Sequence, residues 1–169
     1  KLKSLKNTHC TIISDYGHGL ITKSIAKYLC KSSNFIALNA QINSSNIGIH
    51  SMRKYKNIDL YIINEKEIRH EFRDKVNKVE ILMKKISKEQ NINIVVVTRG
   101  LKGSVLYSCS KNSYFYCGAL ANEVKDKVGA GDAMLAIIAI SLASGLNEET
   151  SLFLGSLAAI ESLKNFANK

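Results

Sequence analysis

Ile92-Asn93-Ile94-Val95-Val96-Val97-Thr98-Arg99-Gly100-Leu101-Lys102-Gly103 is the stretch on which the reading of the fold turns. Ile92 to Val97 is rich in β-branched side chains, which suit a pleated, buried strand. The two glycines after Thr98 predict that the strand ends in a turn. Beyond it, Ser104 to Ser108 and Tyr114 to Cys117 flank a polar turn, the pattern of a hairpin.

Upstream, shorter strand patterns stand at Cys10–Ser14, Phe35–Leu38 and Ile58–Ile63. Leu20, Ile21, Ile25, Ala26 and Leu29 follow a helical period, as do Val76, Val79, Leu82, Met83 and Ile86. Residues 47–55 are compatible with a helix. Glu65 and Glu67 predict another helix start, because carboxylates suit a first helical turn. Downstream, Gly131 to Ser144 reads as an apolar helix closed by Gly145. Asn147 can cap a last helix running to about Asn165. Strands alternating with helices, then a hairpin and two apolar helices, predict an α/β fold with a mainly parallel sheet flanked by helices. The chain of 169 residues suits one domain, 1–169. In such sheets ligands gather at the carboxyl ends of the strands.

Composition narrows the classes. The formal charge is +10, from 24 basic and 14 acidic residues. The lysines are dispersed and no nucleic-acid-binding motif accompanies them, so no specific nucleic-acid partner is expected. No run of about 18 apolar residues predicts a membrane span. Cys10, Cys30, Cys109 and Cys117 form no Cys-x-x-Cys pair and have no His at zinc-site spacing. They read as buried free thiols of a reducing compartment, which makes a cytoplasmic location the expectation.

Asp126-Lys127-Val128-Gly129-Ala130-Gly131-Asp132 immediately precedes the apolar helix. Small residues at 129–131 let a ligand approach the backbone. Their N–H groups fall at a helix start, where unpaired donors and the dipole favour an anion. A carboxylate at Asp132 would stand beside that anion and could take a proton from an attacking hydroxyl. The segment equally suits an ordinary helix start, with Asp132 serving only the dipole.

Three further segments occur in an order that resembles the ribokinase-like, or phosphofructokinase B-type, carbohydrate kinases. Asp126 with Gly129-Ala130-Gly131-Asp132 is similar to that family's signature. Asn64-Glu65-Lys66-Glu67 resembles its Asn-x-x-Glu motif, and Thr98 to Gly103 resembles its Thr-x-Gly-x-x-Gly turn. Gly155, Ala158, Ala159 and Ser162 resemble its small-residue helix beside the adenine. The resemblance implies ATP and Mg²⁺ as cofactors, with Asp132 as base and the N–H groups of Gly129, Ala130 and Gly131 around the γ-phosphate. It implies Thr98, Gly100 and Gly103 along the nucleotide, Ala158, Ala159 and Ser162 at the adenine, and Asn64 and Glu67 organising Mg²⁺ through water. Asp126 and the Val128 carbonyl match positions that hold a monovalent cation in some members.

Asp15-Tyr16-Gly17-His18-Gly19 resembles the strand-end loop of the family's heptose-phosphate kinases, with His18 in place of a Lys. Asp15 is therefore a substrate candidate, and so is Asn39 in the amide-rich run 39–46. Neither the Pro nor the Lys of the Asp-Pro-Lys pattern of those kinases is present in that run. The family's sugar-gripping part lies N-terminal to the matched region, so the resemblance implies that Lys1 starts inside a larger kinase and that the N-terminal part of the fold is absent. The expected partners are a nucleotide and a sugar or sugar phosphate, with a homodimer allowed. The alternative is a non-catalytic nucleotide-binding or assembly module that keeps the kinase fold.

Overall fold

The structure is a computed structural model, and it describes residues 8–41, 51–120 and 129–167, with the side chains of 33 and 163–167 left aside. In chain order the elements are β1 Thr8–Asp15, α1 Lys23–Leu29, β2 Ser33–Ala40, β3 Ile58–Asn64, α2 Glu65–Phe72, α3 Val79–Gln90 and β4 Ile92–Thr98. They continue with β5 Ser104–Ser108, β6 Ser113–Cys117, α4 Ala130–Ala143 and α5 Glu148–Ala167. All six strands form one sheet in sequential order. β1 to β4 run parallel, and the β5–β6 hairpin adds antiparallel to β4.

Alternation along the strands sorts the core into two layers. Leu38, Tyr61, Ile63, Val95, Val97 and Val105 point to one face, where Leu29 of α1, Ile68 of α2 and Leu82 and Ile86 of α3 cover them. Ala37, Leu60, Ile62, Val96 and Leu106 point to the other, under Met134, Leu135 and Ile138 of α4 and Leu152 of α5. Because both faces are covered, the central strands read as continuous apolar runs rather than alternating ones. Gly155 lets α4 and α5 meet closely: a Cβ there would sit 2.3 Å from Cγ1 of Ile138.

Several expectations shift in detail. α1 opens at Lys23 rather than Leu20, because Thr22 accepts the N–H of Ile25 as a cap, and Leu20 stays exposed in the preceding loop. Val76 is 93% exposed and precedes α3: Asp74 accepts the N–H groups of Val76 and Asn77 and forms a turn instead. Of the helix suggested for 47–55, the described residues show one 3-10 turn, Met52–Lys54, and residues 47–50 lie outside the description. The four thiols are free; Cys10, Cys30 and Cys117 are partly buried against the core, and Cys109 is exposed. Asn147 caps α5 as expected, accepting the N–H of Thr150 at 2.8 Å. No helix among the described residues is long and apolar enough to cross a membrane.

Candidate active site

The site is built around the start of α4. Gly129 takes a left-handed backbone, φ 84°, at the N-cap position, and offers no side-chain acceptor to the first turn. The N–H groups of Ala130, Gly131 and Asp132 therefore fall in the part of the helix that lacks intrahelical partners. Among the described residues a Cβ on Gly131 would meet no atom within 4 Å, so no described side chain fills the space beside these donors. Together the geometry makes a bare helix start able to receive an oxyanion.

Asp132 stands exposed on the first turn, and its two oxygens are held from the end of β1 and the residue just beyond it. The Ser14 hydroxyl donates to Oδ1 at 3.0 Å, and the Tyr16 hydroxyl donates to Oδ2 at 2.7 Å. The bond to the Asp132 carboxylate is the main reason the Tyr16 phenol is pushed above its ordinary value. Tyr16 also stacks near His18, with ring centroids 6.5 Å apart. Sequence reasoning missed Ser14 and Tyr16. The signal available was strand alternation, which sends residues 14 and 15 to opposite faces of the sheet.

Asp15 consequently turns away from Asp132. It is 4% exposed and accepts from the Gly17 N–H, the Tyr55 hydroxyl and the Lys54 ammonium, the last at 2.6 Å. Burial pushes its carboxyl up, but the donors from Lys54, Tyr55 and Gly17 outweigh burial and hold it below its ordinary value. Asp15 thus anchors the β1 loop to the Met52–Lys54 turn. A carboxylate with a lowered folded pKa stabilises the fold above its unfolded pKa, and that stabilisation is lost as pH falls through the folded value. Asp15→Asn is therefore expected to cost about 3 kcal/mol at neutral pH, through the Lys54 charge left without its partner. The gap from wild type should narrow below about pH 4. Urea unfolding across that range is the check; a gap unchanged at low pH would contradict the anchoring role.

The remaining candidates divide by strand. The alternation that points Ala37, Leu60, Ile62 and Val96 toward α4 puts Ser14, Asn39, Asn64 and Thr98 on that same side, at or near the carboxyl ends of β1 to β4. Strand spacing makes this ledge about 14 Å long. Asn39 donates to the Ile62 carbonyl at 3.0 Å, tying β2 to β3. Asn64 and Glu67 form a reciprocal capping box on α2: Asn64 accepts the Glu67 N–H at 2.9 Å, and Glu67 accepts the Asn64 N–H at 3.1 Å. Asn64 lies beside Thr98 in register. Arg99 donates to Glu65 at 3.0 Å and so couples the β3–α2 junction to the turn after β4.

That turn needs its glycines. Gly100 and Gly103 have φ of 59° and 78°, and the turn closes through Arg99 N–H to Gly103 carbonyl at 2.8 Å. On α5, Ala158 and Ser162 are half-buried, whereas Ala159 packs partly into the core beneath α4. Asp126 and Val128 lie outside the described residues. Among the described residues no group of three or more His, Cys, Asp or Glu is placed to hold a metal. A divalent ion here would keep most of its ligands from water and from an anionic partner, as Mg²⁺ commonly does.

Comparison with known proteins gives a consistent result. The pattern of the pfkB family carbohydrate kinases matches residues 24–166. The chain is similar to the bifunctional protein HldE of Campylobacter concisus, 27% identical over 152 residues, covering 88% of this chain and 31% of that protein. It is also similar to HldE of Haemophilus influenzae strain PittEE, 29% identical over 164 residues, covering 94% of this chain and 33% of that protein. Among solved structures it superposes on phosphofructokinase-2 from Escherichia coli in complex with substrates and products, with a TM-score of 0.76 and 16% identity, over 94% of this chain and 52% of that one. Arabidopsis thaliana ribokinase complexed with ribose and ATP matches at a TM-score of 0.67 and 20% identity, over 94% of this chain and 50% of that one. The chain thus spans about a third of the length of these curated relatives and about half of these solved structures.

Proposed function

The chain belongs to the pfkB family of carbohydrate kinases, and from that premise we propose that it is the nucleotide-binding and catalytic part of an enzyme that transfers a phosphoryl group from ATP to a hydroxyl of a sugar or sugar phosphate. The observation that carries this reading is the open, glycine-built start of α4 with Asp132 fixed at its edge by Ser14 and Tyr16.

In this reading the N–H groups of Gly129, Ala130 and Gly131 receive the transferring phosphoryl oxygens, where preorganised donors lower the barrier most. Asp132 accepts the proton of the acceptor hydroxyl as that oxygen attacks phosphorus. Thr98, Gly100 and Gly103 lie along the nucleotide, with Ala158, Ala159 and Ser162 toward the adenine. Asn64 and Glu67 orient the waters of a Mg²⁺ ion, which supplies charge neutralisation on the phosphates when bound. Asp126 matches a position that holds a monovalent cation in some members of the family, and it lies outside the described residues. A sugar or sugar phosphate meets the ledge at Asn39 and the β1 loop.

A second reading is favoured by one observation: both Asp132 oxygens already have internal donors, as in a module that binds nucleotide without transferring its phosphate. Release of ADP from Mg·ATP separates the two. The kinase reading expects release that depends on an added hexose, hexose phosphate or heptose phosphate. Nucleotide binding with no acceptor-dependent release across that panel would favour the binding module.

A further inference from the structure

On the opposite face of the sheet from Asp132, beside α1 and the Met52–Lys54 turn, lies a cavity of about 780 Å³. Among the described residues its wall carries six cationic side chains, Lys23, Lys27, Lys31, Arg53, Lys54 and Lys56, and no carboxylate. Two of the six are already balanced from behind. Arg53 pairs with Glu71 at 2.7 Å and Glu89 at 3.1 Å, and Lys54 pairs with Asp15 at 2.6 Å. Among the described residues, the ion pairs leave Lys23, Lys27, Lys31 and Lys56 out.

This arrangement works against the local structure. Lys23, Lys27 and Lys31 repeat at a spacing of four, so like charges stack on one side of α1 and its end, which weakens a helix. Lys23 also puts a positive charge on the first turn, where the dipole disfavours it and no acidic residue offsets it, whereas Lys27 sits in the last turn, where the dipole favours it. A merely solvated face would gain from mixing signs, and α1 does not. Places where a sequence breaks a local rule are often functional sites.

We propose that this cavity is a binding site for a small anion carrying two or more phosphate groups, separate from the site at α4. Its volume falls in the range of small-molecule sites. Lysine ammonium groups are mobile point charges that suit phosphate oxygens, whereas a flat carboxylate fork favours arginine. Among the described residues the wall holds no aromatic ring on which a nucleic-acid base could stack, so phosphates rather than a base are what it recognises.

The test is a calorimetric titration of the protein with inorganic tripolyphosphate, repeated on two charge-matched triple variants. Lys23→Gln/Lys27→Gln/Lys31→Gln removes three of the six cations from the cavity wall, and Lys75→Gln/Lys78→Gln/Lys88→Gln removes the same charge from exposed positions elsewhere. Both keep α4 intact, so the difference between them reports on the cavity alone. The first should bind about tenfold more weakly than wild type, and the second within about twofold. ATP without metal and a sugar bisphosphate, run as separate arms, identify the source of the phosphates by which binds more tightly. Thermal melts guard against misfolding: without anion the cavity triple should melt no lower than wild type, since its like charges are relieved, and tripolyphosphate should stabilise it less. Equal weakening in the two triples, or a preference for longer nucleic acid over tripolyphosphate, would overturn the proposal.

Discussion

Asp132→Asn is expected to lower phosphoryl transfer by about 10³-fold while leaving Mg·ATP affinity within about twofold. Asn keeps the size and one acceptor oxygen but cannot take up the proton of an acceptor hydroxyl. The α4 N–H groups are backbone donors and remain in place, so the anion site survives the substitution. The Asn amide oxygen can still accept from one of Ser14 and Tyr16, and its NH2 can donate to the hydroxyl oxygen of the other. Because Asp132 is exposed, that rearrangement should cost less than about 1 kcal/mol, and loss of activity cannot be put down to unfolding. The measurement is single-turnover transfer beside nucleotide titration on the same preparation. Transfer within tenfold of wild type would remove Asp132 from the role of base.

Gly103→Ala should be the most damaging single-methyl substitution in the site region, at about 4 kcal/mol or roughly 10 °C in Tm. The added Cβ would lie 2.0 Å from the Cys117 carbonyl oxygen, 2.7 Å from the Gly118 carbonyl carbon and 2.8 Å from the Ala119 N. All three are backbone atoms at the end of β6, and none can swing aside as a side chain would. The φ of 78° with ψ of −139° is also a conformation that only glycine adopts without strain. Gly100→Ala is the control, since its φ is also positive but a Cβ there meets no atom of the described residues within 4 Å. That variant should lose only about 1 kcal/mol. Equal losses at the two positions would show that close approach to the hairpin is not what fixes Gly103. Because the turn carries Thr98 and Arg99, Gly103→Ala should also weaken nucleotide binding in whatever fraction stays folded.

The architecture was legible because burial on both faces leaves a plain mark. Ile92 to Val97 had to be a central strand, and the hairpin after it followed from two short runs across a polar turn. Ends were less legible where a side chain made an unexpected local bond. Thr22 and Asp74 each captured backbone N–H groups, which delayed the start of α1 and left Val76 outside α3. At the site, the sequence pointed to Asp132 but not to what holds it. Ser14 and Tyr16 lie more than a hundred residues away, and only the return of α4 across β1 brings them together. Asp15, read as a substrate contact, sits between them yet belongs to the opposite face, where Lys54 and Tyr55 hold it. Asn64 and Glu67 show the converse. Their spacing fits a capping box as well as a metal-organising motif, and the structure displays the first while leaving the second to be tested.

Binding of a nucleoside triphosphate at the start of α4 and the ledge beside it decides the function. Calorimetric titration of Mg·ATP into the natural full-length protein, with folding confirmed by circular dichroism, measures this. One saturable site in the micromolar to millimolar range, weakened at least about tenfold when Gly131 is replaced by Val to fill the open space beside the donors, is the expected result. A folded protein that shows no saturable binding of Mg·ATP would contradict it.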